Sequence, residues 1–153
     1  MSDRFWLFII VGKAALITVL LWFGLVLVGL LGSKIEMTSG EPQILKATVL
    51  FLLVLLPTGI ATWWSFRKLQ SHYPPREARA AATALAVFTP VSLLIAILLA
   101  QIPGGYADLL LGSPFGLVGA FVGVVVVTTI LNLLVCLFTL SMTRRIVKLE
   151  STH

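Results

Sequence analysis

The chain has 153 residues, of which 59% are hydrophobic and 11% charged, with a formal net charge of +5. Soluble domains run near roughly 45–50% apolar and about 25% charged, so this composition, with a mean hydropathy of +1.07, excludes a water-soluble domain, a disordered chain and a nucleic-acid-binding module. A single cysteine, Cys136, excludes a disulfide scaffold, and what remains is an integral membrane protein of one domain.

A bilayer core about 30 Å thick needs about 20 apolar helical residues. Four stretches qualify. The first, 14–31, carries no charge over eighteen residues, in a helix that begins near residue 4. It is too long for the apolar part of a signal peptide, and no small-x-small cleavage site follows it, so it reads as a retained span. Lys13 borders it, and the uncharged run beyond is long enough to span alone. Lys13 is therefore expected to snorkel at the membrane edge or to meet a lipid phosphate or a partner. Pro42 marks the start of the second segment, whose span is 47–66.

The second connection carries Arg67, Lys68, Arg76 and Arg79 against Glu77. These four cations join Lys13 as candidate contacts for lipid phosphates or a partner. Its stretch Ser71-His72-Tyr73-Pro74-Pro75 reads as a rigid turn, and Pro75 as a first helical position. The third span is 80–101, with a stripe of small residues, Ala82, Ala86, Thr89, Ser92, Ala96 and Ala100, on one side. The third connection holds one charge, Asp108, beside Gly104-Gly105-Tyr106 and three leucines. Ser113-Pro114 reads as a helix start.

The fourth span, 115–143, is longer than a bilayer requires and is expected to tilt or protrude. At 100° per residue, Gly112, Gly116, Gly119 and Gly123 share an arc of about 60°. Thr128, Thr129, Asn132, Cys136 and Thr139 share an opposite arc of about 100°. Spaced glycines permit close helix approach, and buried polar side chains seek interhelical partners. The glycines are a candidate packing or partner face. Thr58, Thr62, Thr89, Thr128, Asn132 and Cys136 are candidate polar groups inside the membrane. Hydroxyls among them have their own i−4 carbonyls as an alternative. Pro57 and Pro90 lie roughly 15 and 16 Å along their helices from Arg67 and Arg79, near the midplane, where each removes a backbone hydrogen bond and favours a kink.

The expected fold is all-α, a four-helix membrane bundle over residues 1–153. Cations concentrate in the middle connection and the C-terminal tail, which places both termini in the cytoplasm, most simply in a bacterial inner membrane or comparable plasma membrane. No Asp, Glu or His lies in the four spans, which argues against acid–base catalysis and carboxylate-coupled transport there. Haem, zinc and dithiol chemistry lack their ligands, so no cofactor is expected. The leading functional expectation is a non-catalytic subunit or accessory protein of a larger membrane complex, in contact with lipids and with another membrane protein or further copies of itself. The first alternative is a small homo-oligomeric channel or carrier with a path near the paired prolines. The second is a lipid-acting enzyme at the interface, using Lys13, His72 and the 67–79 loop.

Overall fold

The computed structural model describes residues 2–32 and 43–152. Among them the regular structure is helical: α1 (Asp3–Gly32), α2 (Gln43–Gln70), α3 (Pro75–Ala100), α4 (Tyr106–Leu111) and α5 (Gly116–Glu150). Three described helices are long and apolar enough to cross a membrane, within Asp3–Val28, Pro75–Ala100 and Gly116–Glu150. The first connection, 32–46 in the sequence reading, carries Lys34 and Lys46 against Glu36 and Glu41; of these, Lys34, Glu36 and Glu41 lie outside the described residues, as does Pro42.

The long helices form a ring. α1 packs on α2, α2 on α3, α3 on α5 and α5 back on α1, with the α3–α5 contact the most extensive. One end of the ring gathers the start of α1, the α2–α3 turn and the end of α5. There the Tyr73 hydroxyl donates to the Asp3 carbonyl at 3.3 Å. Arg144 Nε donates to Glu77 Oε2 at 3.0 Å, and Arg76 donates to both carboxylate oxygens of Glu150 at 2.7 and 3.1 Å. Consecutive long helices therefore run antiparallel. We call this the basic end.

The apolar core lies in the half next to the basic end. Leu7, Ile10 and Val11 of α1 meet Leu69, Tyr73, Ala78, Ala81, Leu85, Cys136 and Leu140. The small side chains of α3 let it approach closely: Ala78, Ala81, Ala82 and Ala96 are all buried. Towards the other end burial fades. The last buried residue of α1 is Val19, that of α3 is Ala96, and α5 has none before Thr128 among the described side chains. An apolar cavity of about 260 Å³ opens there between α1, α3 and α5, lined by Val19, Trp22, Phe23, Leu93, Ile97, Phe121 and Val124 among others.

Several boundaries differ from the sequence reading. The apolar runs 14–31 and 47–66 sit inside longer helices, whereas 80–101 and 115–143 each overrun their helix by one residue, Gln101 after α3 and Phe115 before α5; each of these two helices extends past the opposite apolar edge into residues that can meet water. The C-terminal tail is the end of α5, helical to Glu150. The third connection holds α4, and the helix start read at Ser113-Pro114 is displaced to Gly116. Phe115 is the residue before it, without a side-chain cap. Gly116 lies close against the end of α4: a β-carbon there would stand 3.0 Å from the Leu111 carbonyl oxygen. The close turn from α4 thus occupies residues 112–115, and Gly116 N bonds Ser113 O at 3.1 Å. Pro75 does open α3. Pro57 and Pro90 stand within continuous helices, as expected where a broken backbone would leave unpaired polar groups in hydrocarbon.

Candidate functional site

A layer of polar side chains crosses the bundle interior. Thr18, Thr58, Thr89, Ser92, Thr128, Thr129 and Asn132 are all buried, and Thr62 is half-buried. Ser92 Oγ donates to Asn132 Oδ1 at 2.9 Å, joining α3 to α5. Other hydroxyls turn back on their own helices: Thr18 to Ala14 O at 2.9 Å, Thr62 to Thr58 O at 2.7 Å, Ser65 to Ala61 O at 2.7 Å and Thr129 to Val125 O at 2.7 Å. Such bonds satisfy the hydroxyl without demanding a partner helix. Two polar atoms are left over. Asn132 Nδ2 and Thr128 Oγ1, one turn apart on α5, are buried without a hydrogen-bond partner. Each such group costs about 1–3 kcal/mol. Cys136, a further turn along, is packed in the apolar core. This layer joins α3 to α5, and its polar groups are hydroxyls and one amide.

The candidate contacts for lipid phosphates or a partner lie on three helices. Lys13, Arg67, Lys68, Arg76 and Arg79 are all exposed and spread over α1, α2 and α3. Arg67 stacks over the Trp63 ring at 5.1 Å. Arg76 is held by Glu150, which raises the pKa of the guanidinium and lowers that of the carboxylate through their hydrogen bond and charge. Arg76 and Arg79 border a groove of about 780 Å³ on the outer face of α3, floored by Ala80, Ala84, Val87 and Phe88. Exposed His72 stacks on Trp6 with ring centroids 5.0 Å apart.

Sequence reasoning missed the joins that close the basic end. Tyr73 is buried against α1, and burial above all raises its pKa, with Asp3 adding to the effect. Arg144 lies over the Tyr73 ring at 5.7 Å while its Nε holds Glu77. These partners stand about seventy residues apart in the chain, beyond the reach of local spacing. A second groove of about 780 Å³ was missed for the same reason. It runs between the start of α1 and the end of α5.

The two arcs of α5 have separate environments. The polar arc points into the bundle, with Thr128, Asn132 and Cys136 fully buried. Helical rotation puts Gly119 and Gly123 on the side shared by Ile130, Leu134 and Phe138, which are exposed by 49%, 58% and 67%. That side faces away from α1, α2 and α3. Gly116, nearer the end, is covered locally by α4, and Gly112 lies exposed in the turn. Comparison with protein-family models, curated proteins and solved structures finds no match.

Proposed function

We propose that the protein is a four-span membrane subunit without catalytic activity of its own, with both ends of the chain on the cytoplasmic side and α2 as the fourth span. Its function is to pack against another membrane protein through the outward face of α5. The observation that carries this reading is the direction of the glycine arc. Gly119 and Gly123 stand on the side of α5 that its own bundle leaves uncovered, continuous with Ile130 and Leu134. Small residues four apart gain from a helix at close range, whereas lipid chains fill such a surface poorly. The supporting argument is chemical. The polar layer holds hydroxyls and one amide, and the half below it is filled by Leu7, Val11, Leu69 and Leu85. A path through one copy would have to displace that packing.

The test is gentle extraction of the tagged chain from its native membrane, followed by mass measurement of the intact complex. The reading expects one foreign membrane protein in fixed stoichiometry, lost on Gly119→Leu/Gly123→Leu while helicity is kept. A complex indifferent to both substitutions, or the chain by itself, contradicts it.

A further inference from the structure

The groove between α1 and α5 combines features that the other surfaces of the basic end lack together. Its rim carries four cations, Arg4, Arg144, Arg145 and Lys148, against one carboxylate, Asp3. Arg4, Arg145 and Lys148 form no ion pair among the described residues. Arg144 is oriented beforehand. Its Nε is fixed on Glu77 and its plane lies over Tyr73, so the two Nη groups remain for a bidentate acceptor, the geometry that suits a phosphate. Below the rim the wall is apolar, formed by Leu7, Leu137 and Leu140. Leu7 and Leu140 belong to the packed core, so this wall does not collapse when the groove is empty. The Arg76–Arg79 groove has two cations, one already neutralised by Glu150.

We infer that this groove is a binding site for the phosphate headgroup of an anionic glycerophospholipid, with its first acyl carbons along Leu7, Leu137 and Leu140. A cationic pocket between helices at the cytoplasmic membrane surface fits an anionic headgroup in charge and position. The apolar wall selects a lipid over free phosphate. The site does not rest on the α5 partner face, because the groove uses the other end of the helix.

The test uses the full chain in detergent, titrated with phosphatidylglycerol, phosphatidylcholine or inorganic phosphate and followed by intact-mass measurement of adducts. One phosphatidylglycerol is expected to be retained in preference to phosphatidylcholine. Arg145→Gln/Lys148→Gln is expected to lower that retention about thirtyfold, the effect of two cations near an anionic headgroup. Lys68→Gln/Arg79→Gln, with the same charge change elsewhere on the basic end, is expected to retain the lipid. If the first double variant does not fold, Lys148→Gln alone gives the same comparison at about fivefold. Equal retention of the two lipids, equal loss in both double variants, or adducts of inorganic phosphate without lipid would each overturn the assignment. These readouts are the same whether or not a protein partner is found.

Discussion

Asn132 is satisfied on one side of its amide. Its oxygen accepts from Ser92, and its nitrogen is buried without a partner. Replacing it by leucine removes an interhelical bond that averages about 0.6 kcal/mol in membrane proteins. The same change removes an unpaired donor that costs about 1–3 kcal/mol. The two effects offset, so Asn132→Leu is expected to alter stability by less than about 1 kcal/mol. Asn132→Asp has the same shape but places a carboxylate in the layer, at a cost of about 2.5–3.5 kcal/mol. Unfolding in mixed micelles with rising dodecyl sulfate separates the two outcomes, and a large loss in Asn132→Leu would show that the amide is engaged on both sides. Tyr73 makes a second prediction. Burial raises its pKa above the ordinary 10.0 in the folded chain. The folded state therefore binds the phenolic proton more tightly than the unfolded state. This contribution is complete below pH 10 and is lost as pH climbs through the raised value. Tyr73→Phe is expected to lose less stability above pH 10 than the parent chain in alkaline unfolding series. Tyr106, also shifted up by burial, leaves a residual slope in both.

Between elements, the α3–α5 contact is the most extensive in the bundle, and its ion pairs differ in weight. The Glu77 side chain is 13% exposed and stands in the first turn of α3, where the helix dipole also favours a negative charge. Glu77→Gln is expected to cost about 1 kcal/mol, measured by the same micelle unfolding. Arg76 and Glu150 are each more than half exposed, so Arg76→Gln is expected to leave unfolding unchanged within error at physiological salt. The pair does set a direction with pH. Glu150 has its pKa lowered in the folded chain by Arg76, so its contribution is present above about the ordinary carboxylate value and fades on acidification below it. The elements themselves were legible in part. Apolar runs and the proline at position 75 located the long helices, because hydrocarbon burial and a missing N–H act locally. α4 was hidden, since a helix of six residues leaves too few turns to show a period. The true start of α5 follows a turn over 112–115 that brings Gly116 close to Leu111, a feature of the turn that the capping pattern at Ser113-Pro114 does not show.

For the whole molecule, composition alone pointed to helices in a membrane, and the opposed arcs of α5 could be drawn from its sequence. Which arc faced the bundle could not be read there. It follows from the small side chains of α3, and Ser92 opposite Asn132, meeting α5 at close range. The cations show the opposite limit. Arg67, Lys68, Arg76 and Arg79 stand close along the chain, yet the fold divides them between α2 and α3, while it gathers Arg4, Arg144, Arg145 and Lys148 from the two ends of the chain. The central claim is that the glycine side of α5 is where another membrane protein sits. Photo-crosslinking in native membranes tests it most directly, with a photoreactive amino acid placed at Gly119 or Gly123 and, for comparison, at Val87 on the outer face of α3. The account predicts one discrete protein adduct of the same mass from both α5 positions and none from Val87. Lipid adducts alone at all three positions, or the same protein adducts from Val87, would contradict it.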